Sequence, residues 1–282
     1  MVNIERIDYN NLDSKSLNII EKERVISSFQ KKGIVEFDNL PWEKNEIQDF
    51  TNYFTEKYSS DAVRRSKKYE KTNINSVDAG STKIPLHSEA SFSYAYPEII
   101  WFYCYENDEK GSPTTICDGA ELWKNLEKST KEFFLKNPIT YTVAIDIPYK
   151  IKRKGQEKFF IEYPGVSDSL IDWELGKIMF NYSKFVINID RKFDKIWFAN
   201  HLLVGKDNEE QIKKITTNNN NSIPEDIMKE INIKSDELTY DYVWKKNRLL
   251  MLNNYKFMHG RRNFDSSSNR EILNLQSLKT NF

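Results

Sequence analysis

The chain has 282 residues, of which 39% are hydrophobic and 30% charged, so it can bury one large core and is expected to form a single domain over residues 1–282. Its 42 basic residues balance 42 acidic ones, which leaves no net charge to attract nucleic acid or an anionic membrane. The first residues are charged where a secretory signal would be apolar, and no run approaches the roughly 20 apolar residues that span a bilayer. We therefore expect a cytoplasmic protein that binds neither nucleic acid nor membrane, and its two cysteines fit a reducing compartment.

Hydrophobic residues recur at helical spacing in four segments, and each such segment predicts an amphipathic helix. The helices are predicted over about residues 15–31, from Glu43 to about Tyr58, from the capping-box pair Asp118 and Glu121 to near Pro138, and from Pro224 onward. Gly33 is expected to end the first helix, because glycine readily adopts the left-handed conformation that closes many helices.

Runs rich in β-branched, aromatic and leucine residues predict strands in the remainder of the chain. They fall at residues 34–37, 98–105, 139–147, 158–163, 195–203, 249–258 and 270–276. Many strands with few glycines indicate a mainly β fold with flanking helices, of the α+β kind, in which two sheets close into a cupin-like jelly roll. A closed double sheet would also bring together residues far apart in sequence, such as His87 and His259.

A polar segment at about residues 205–235 is rich in asparagine and lysine, which is typical of a solvated loop. A long insertion before the last strands is also where a substrate lid can lie, so both interpretations stay open. Just before this segment, His201 fits a hydrogen-bonded histidine at a strand end, with a pocket-facing position as the alternative.

Two short segments carry the residues most suited to chemistry, IPLHSEASFS and MLNNYKFMHGRR. Side chains at positions i and i+2 of a strand point to the same face, so one strand end could present His87 and Glu89 together. His259 would supply a third group. Two histidines and a carboxylate are the ligand set of mononuclear non-haem Fe(II) oxygenases, which leaves further positions on the metal open. Alone, His-x-Glu is as well explained by a hydrogen-bonded histidine beside a surface glutamate.

Arg270 lies in a strand-like segment that follows His259 closely in the sequence. With these features the chain resembles the TauD/TfdA-type Fe(II)- and 2-oxoglutarate-dependent dioxygenases, and within them the SyrP-like branch, from about residue 34 to the C-terminus. The matching stretches are HSEASFSYAYPEIIWFYC, GSPTTICDG, WFANH, SIPEDIMKEI and LLMLNNYKFMHGRRNF. The chain departs from the family pattern at Ser112, where a second glycine is usual, and at Asn253, where aspartate is usual.

The resemblance implies roles for five residues, one metal ion and two small molecules. His87, Glu89 and His259 would bind Fe(II). Thr114 and Arg270 would hold the distal carboxylate of 2-oxoglutarate, the cosubstrate, and molecular oxygen would be the oxidant. Elementary chemistry agrees, because arginine offers a permanently charged planar fork to a carboxylate and a threonine hydroxyl adds one hydrogen bond. The family fold that the resemblance implies is the double-stranded β-helix.

The resemblance also implies a substrate class, an amino acid or amino-acid-derived metabolite of natural-product biosynthesis, hydroxylated at an unactivated carbon. The substrate could be free or tethered to an acidic carrier protein, with the basic cluster Arg64–Lys68 as a docking surface, although such clusters are more often solvated surface. Halogenating relatives have a small residue in place of Glu89, and taurine-type relatives have an additional arginine where this chain has Asn274. Chlorination and a small sulfonate substrate are therefore disfavoured.

Three alternatives to hydroxylation stay open at this point. The same iron centre could desaturate or cyclise its substrate, since the outcome depends on how the substrate is posed. A barrel that kept its fold but lost turnover could be a binding or regulatory protein, against which Glu89, Thr114 and Arg270 argue. A zinc hydrolase using the same three groups is a weaker alternative. Period-two alternation places Arg261 on the same side as His259, where it could contact substrate or cosubstrate or brace a nearby carboxylate.

Overall fold

A computed structural model describes residues 2–8, 17–40, 42–43, 46–59, 72–77, 80–108, 111–147, 164–191, 194–205, 210–265 and 267–282. Contacts between Cα atoms divide the chain into two compact units. The first unit comprises Met1–Glu89, Pro97–Asp118 and Thr239–Phe282, and the second comprises Ala90–Tyr96 and Gly119–Leu238. Among the described residues, no helix is long and apolar enough to cross a bilayer.

The described part of the chain contains seventeen strands and five helices. The strands are β1 (Glu5–Asp8), β2 (Ile34–Asp38), β3 (Thr55–Tyr58), β4 (Asn75–Ser76), β5 (Ile84–His87), β6 (Ile99–Glu106), β7 (Thr114–Asp118), β8 (Ile139–Asp146), β9 (Val166–Asp172), β10 (Lys177–Lys184), β11 (Ile187–Asp190), β12 (Lys195–Phe198), β13 (Ile212–Thr217), β14 (Tyr240–Tyr242), β15 (Arg248–Asn253), β16 (Phe257–Arg261) and β17 (Glu271–Thr280). The helices are α1 (Ile19–Lys32), α2 (Glu46–Thr51), α3 (Gly119–Asn125), α4 (Lys128–Lys136) and α5 (Glu225–Glu237).

The first unit is built from two sheets, as the predicted jelly roll requires. The larger sheet has the order β1-β2-β15-β6-β17-β3, with β4 also paired to β17, and the smaller sheet has the order β14-β7-β16-β5. Sequence-distant strands are neighbours in both, since β2 lies beside β15 and β5 lies beside β16. The mainly β fold class is confirmed.

Strand β15 shows how the larger sheet is buried on both faces. Leu249 and Met251 belong to one core cluster, together with residues of α1 and α2. Leu250 and Leu252 point to the opposite face and join a second cluster with residues of the smaller sheet. Fully burying one such side chain contributes about 1.5–3 kcal/mol, so the unbroken run of four apolar residues is what a central, doubly covered strand needs.

Helix α1 confirms the first predicted helix and its stop. Asn18 and Glu21 form a capping box at its start, which satisfies backbone N–H groups that have no partner within the helix. Gly33 follows the last turn with φ of 78°, and its backbone N–H donates to Phe29 O at 2.6 Å. A side chain at position 33 would be strained in this conformation.

Two helix predictions are wrong in part. The helix expected over residues 43–58 ends at Thr51, and Thr55–Tyr58 forms β3 instead. Strand β3 pairs with β17, and Thr55 Oγ1 lies 2.6 Å from Ser277 Oγ. This pairing with a distant strand overrides the local helical pattern. The helix expected from Asp118 to near Pro138 is interrupted between Asn125 and Lys128, which leaves two shorter helices, α3 and α4.

Two strand predictions are also wrong in their bounds. The segment 249–258 contains two strands, β15 and β16, separated by a turn at residues 254–256. Asn253 Oδ1 accepts hydrogen bonds from the backbone N–H groups of Tyr255 and Lys256, and this closes the turn. The segment 195–203 is a strand only as far as Phe198. The strand predicted at 158–163 lies outside the described residues, and the remaining strand predictions are confirmed.

The second unit contains a four-stranded sheet of order β13-β8-β10-β9 and the two-stranded sheet β11-β12. Most of the predicted polar insertion at about 205–235 lies here. Its central part forms β13, paired with β8, and the helix expected from Pro224 is confirmed as α5. The single-domain and lid interpretations stay predictions.

Candidate functional site

His87 and His259 are direct partners across two neighbouring strands. His87 is the last residue of β5, and His259 lies in the middle of β16, where the antiparallel register pairs it with His87. Both histidines are buried, and their ring centroids are 4.5 Å apart. The sheet therefore brings together two imidazoles that are separated by most of the chain.

Glu89 lies just beyond the end of β5, in a turn, and not on the strand itself. Its position is fixed by Asn254, which is fully buried. Asn254 Oδ1 accepts a hydrogen bond from the Glu89 backbone N–H at 2.8 Å, and Asn254 Nδ2 donates to the Glu89 carbonyl oxygen at 3.0 Å. The expectation that Glu89 lies on the same continuous strand as His87 is therefore wrong, although the two side chains do lie together, and the hydrogen bonds with Asn254 hold the turn in place.

The three predicted ligands form a compact group. Glu89 Oε2 lies 3.7 Å from His87 Nε2 and 3.9 Å from His259 Nε2, and the possible ligand atoms all lie within 4.8 Å of one another. His87 Nδ1 lies 2.9 Å from the carbonyl oxygen of Pro85. Because a carbonyl only accepts, we assign the proton of neutral His87 to Nδ1, which leaves a lone pair on Nε2 facing Glu89. This donor set fits Fe(II).

Gly260 allows β16 to run unusually close to its neighbours. A Cβ atom there would lie 2.5 Å from Ile84 O and 2.8 Å from Thr115 Oγ1, distances that no real side chain tolerates. The glycine after His259 therefore keeps β5 and β7 tight against the strand that carries the histidine.

Arg270 lies just before β17 and is half-buried. Its Nε donates to the carbonyl oxygen of Ser112 at 3.1 Å, and its guanidinium carbon lies 5.6 Å from the centre of the Phe264 ring. Burial, together with the positive charge of Arg261, lowers the pKa of Arg270 to about 10, which keeps it protonated at neutral pH. An anionic ligand would compensate a cation held in this way.

Ser112 replaces the second glycine of the family turn without strain. Its φ angle lies outside the left-handed region, so a Cβ atom is tolerated. Its hydroxyl donates to the carbonyl oxygen of Arg262 at 3.0 Å, and its own carbonyl oxygen holds Arg270. The serine thus helps to position the arginine.

Thr114 begins β7, opposite Arg261 of β16. Its Oγ1 accepts a hydrogen bond of 2.8 Å from Nε1 of Trp244. Trp244 is buried and packs edge-on against Tyr242, with ring centroids 4.7 Å apart. Trp244 and Asn254 are residues that sequence reasoning missed, because their importance depends on contacts with distant parts of the chain.

One pocket of the first unit contains four of the five predicted site residues, together with Arg261 and several apolar side chains. It is lined by Val77, Ile84, His87, Phe102, Thr114, His259, Gly260, Arg261, Arg270 and Ile272. The expectation that Arg261 lies on the same side as His259 is therefore confirmed. The guanidinium Nη2 of Arg261 donates to the carbonyl oxygen of Thr82 at 3.1 Å.

Other residues singled out in the sequence lie elsewhere or are not described. His201 is buried in the second unit, in the turn after β12, where its ring packs edge-on against Phe92. Asn274 is fully buried, and its Nδ2 donates to the carbonyl oxygen of Trp101 at 3.1 Å. The cluster Arg64–Lys68 lies outside the described residues.

Replacing Asn254 with alanine should destabilise the fold and weaken metal binding together. The side chain also donates to the carbonyl oxygen of Pro97, so its loss leaves buried backbone groups of Glu89 and Pro97 unsatisfied. We expect a loss of about 2–4 kcal/mol in the free energy of unfolding, measured by urea denaturation, and a weaker Fe(II) titration. Asn253→Asp is the matched control, because aspartate can still accept from Tyr255 and Lys256. Equal effects of the two substitutions would contradict this role of Asn254.

A model of the family described as "Taurine catabolism dioxygenase TauD, TfdA family" matches residues 3–276. The chain belongs to this family. As a TauD/TfdA enzyme it is an Fe(II)- and 2-oxoglutarate-dependent dioxygenase that uses molecular oxygen. No curated protein sequence matches the chain.

Solved structures have the same fold at low sequence identity. AAD-2, solved in complex with Mn(II) and N-oxalylglycine, is 15% identical with a TM-score of 0.63, over 96% of this chain and 92% of AAD-2. A Burkholderia xenovorans protein described as an alpha-ketoglutarate-dependent 2,4-D dioxygenase is 13% identical with a TM-score of 0.62, over 97% of this chain and 93% of its own. PvcB of Pseudomonas aeruginosa is 10% identical with a TM-score of 0.58, over 90% of this chain and 78% of its own. These similarities concern the fold.

Proposed function

We propose that this TauD/TfdA enzyme hydroxylates an unactivated carbon of an amino acid or an amino-acid-derived metabolite in natural-product biosynthesis. His87, Glu89 and His259 would hold Fe(II), and Arg270 and Thr114 would hold the distal carboxylate of 2-oxoglutarate. The observation that carries the proposal is the group of possible ligand atoms within 4.8 Å of one another, with its two histidines in the same pocket as the arginine.

Two neutral imidazoles and one carboxylate would leave a divalent iron ion with a net positive charge. That charge favours the anionic 2-oxo acid end of the cosubstrate as a further ligand. When bound, Fe(II) with 2-oxoglutarate and oxygen supplies the oxidising chemistry that converts a C–H bond to C–OH, with succinate and carbon dioxide as the other products. The protein's own contribution is to bind and orient the reactants.

Arg270 and Thr114 are suited to the far end of the cosubstrate. The Nε of Arg270 is engaged by Ser112, which aligns the guanidinium and leaves its terminal nitrogens for a carboxylate. Thr114 can add a hydroxyl donor from the neighbouring strand. Val77, Phe102 and Ile272 supply apolar lining, and a water-poor lining strengthens the attraction between the cation and an anionic ligand.

The direct test of this function measures bound metal and oxygen-dependent succinate release with candidate amino acids. The expected result is Fe(II) at one ion per chain and succinate formation stimulated by a substrate that gains one oxygen atom. A product that has lost two hydrogens would show desaturation or cyclisation instead. Zinc with hydrolysis, or ligand binding without succinate, would overturn the proposal in favour of a hydrolase or a binding protein.

We also propose that the substrate is tethered to a carrier protein. The basic cluster Arg64–Lys68 would dock an acidic carrier through opposite charge. An aminoacyl-carrier substrate is then expected to be turned over faster than the same free amino acid, as measured by mass spectrometry of the products. Equal or faster turnover of the free form would contradict carrier tethering and indicate an enzyme that hydroxylates the free amino acid.

Charge reversal separates docking from catalysis in this proposal. Replacing Arg64, Arg65, Lys67 and Lys68 together with glutamate should slow the carrier-dependent reaction. High salt should restore much of the rate of this variant, because salt screens the repulsion between the glutamates and the acidic carrier. The reaction of the free amino acid in the same variant is the internal control and should be unchanged. An unchanged rate of the carrier-dependent reaction would contradict the docking surface, whereas a matching loss in both reactions would indicate damage to the fold.

A cytoplasmic location is part of the proposal. Cys104 and Cys117 are free, buried thiols, and burial raises the pKa of each to about 12. Thiols held in the protonated form are poor nucleophiles and metal ligands. The two buried thiols support a location in a reducing compartment, and the fold does not depend on a disulfide between these two residues.

A further inference from the structure

We propose that Trp244 is a positioning residue that sets the Thr114 hydroxyl as a hydrogen-bond donor toward the cosubstrate. This inference rests on the proposed role of Thr114 in holding 2-oxoglutarate and adds a residue to that site. Trp244 lies in the segment between β14 and β15, does not line the pocket, and reaches the site through one hydrogen bond.

The chemistry of the two partners fixes the direction of that hydrogen bond. An indole N–H can only donate, whereas a threonine hydroxyl has one proton and two lone pairs. In the contact of 2.8 Å between Trp244 Nε1 and Thr114 Oγ1, the threonine must therefore be the acceptor. Its own proton is left for another acceptor, and the described residues supply none. A carboxylate in the pocket that Thr114 lines would be such an acceptor.

The indole is held rigidly enough to impose this direction. Its ring packs edge-on against Tyr242 at 4.7 Å and against Phe102 at 6.4 Å between centroids. Tyr242 is anchored in turn, since its hydroxyl donates to the fully buried Glu36 carboxylate at 2.6 Å. Glu36 also faces Arg248, with 3.5 Å between Oε1 and the Arg248 Nε. The ring that Trp244 packs against is therefore fixed by a buried charged network.

Rigid placement matters because a threonine hydroxyl otherwise rotates to suit whichever partner is present. With the indole N–H occupying one lone pair, fewer rotations remain and the donor direction is set before the cosubstrate arrives. A donor set in advance binds more tightly because less freedom is lost on binding. The same N–H also polarises the hydroxyl and strengthens the bond it donates.

The experiment measures binding of 2-oxoglutarate to the Mn(II)-loaded full-length protein by calorimetry, so that no turnover intervenes. Trp244→Phe, which keeps an aromatic ring and removes the N–H, should weaken 2-oxoglutarate about two- to tenfold, the effect of one neutral hydrogen bond. Thr114→Val should weaken it by at least as much. In the double variant Trp244→Phe and Thr114→Val, the loss should equal that of Thr114→Val alone, because the indole acts through the hydroxyl.

Controls separate positioning from packing. Trp173→Phe, the same change at an exposed tryptophan, should leave the affinity unchanged. If Trp244→Phe fails to fold, benzothienylalanine introduced at position 244 keeps the two-ring shape and replaces the N–H with sulfur, and the same weakening is expected. In activity assays the KM for 2-oxoglutarate should rise while kcat at saturating cosubstrate stays constant.

The outcomes also separate this inference from the proposed function. Unchanged 2-oxoglutarate affinity in Trp244→Phe, or additive losses in the double variant, would overturn the positioning role. If Arg270→Ala still weakened the cosubstrate in that case, the proposed function would stand. Unchanged affinity in Arg270→Ala and Thr114→Val would overturn both, because the pocket would then not hold the cosubstrate.

Discussion

Glu89→Ala is expected to abolish substrate-dependent hydroxylation and to leave the fold largely intact. The carboxylate is the anionic member of the three-residue group, within 4 Å of both imidazole Nε2 atoms. Removing it takes away a ligand and a negative charge that together favour a divalent cation. We therefore expect activity to fall at least about a hundredfold, more than the usual effect of losing a residue that only hydrogen-bonds to a metal ligand. The measurements are Fe(II) titration and succinate release.

The fold should survive because Asn254 holds position 89 through the main chain. Both hydrogen bonds from Asn254 to residue 89 involve backbone atoms, which alanine retains. The melting temperature should therefore stay within a few degrees of the wild type. Glu132→Ala, on the exposed side of α4 beside Lys128 and Lys136, is the matched control and should retain full activity, since surface ion pairs contribute little.

Two results would contradict this role of Glu89. The first is hydroxylation that persists in Glu89→Ala at a rate close to that of the wild type. The second is a chlorinated product made by the wild-type enzyme in chloride buffer, because the proposed site has a carboxylate where halogenation requires an open position for the halide.

Local pattern was sufficient for the fold wherever a segment's burial is uniform along its length. The run Leu249–Leu252 predicts a buried strand, and Gly33 marks the end of α1. The pattern failed at Thr55–Tyr58, where helical spacing was present but pairing with β17 decides the structure. Period-two or helical spacing reports which side chains are buried, and it cannot report a partner strand that lies more than 200 residues away.

The candidate site divides in the same way. His87, Glu89, His259, Thr114 and Arg270 could be named from the sequence, because residue types suited to metal and carboxylate binding occur there at family spacing. The turn that carries Glu89 could not be predicted from the sequence, because the side chain that fixes this turn, Asn254, lies on a distant segment. The role of Trp244 could not be predicted for a related reason. A tryptophan in the sequence is usually assigned to the core, and no local pattern indicates that its N–H donates to Thr114.

Arg270→Ala is expected to weaken 2-oxoglutarate by roughly tenfold to a hundredfold. A hydrogen bond to a charged group contributes about 1.5–3 kcal/mol, and 1.4 kcal/mol corresponds to about tenfold in affinity. Arg270→Lys should also be impaired, because an ammonium is a point charge that cannot reproduce the planar fork or the Nε contact with Ser112. Calorimetry of the Mn(II)-loaded protein with 2-oxoglutarate, and with N-oxalylglycine as the stable analogue, measures both variants.

Arg262→Ala is the matched control for the loss of a positive charge nearby. The Arg262 side chain forms a surface ion pair with Asp241, 3.1 Å from its Nε, and does not line the pocket. Its removal should leave cosubstrate affinity within about twofold, since exposed pairs contribute about 0–1 kcal/mol and act over short range in salt. Unchanged affinity in both Arg270 variants would contradict the assignment. An equal loss in Arg262→Ala would indicate that general positive charge, and not the guanidinium fork in the pocket, attracts the cosubstrate.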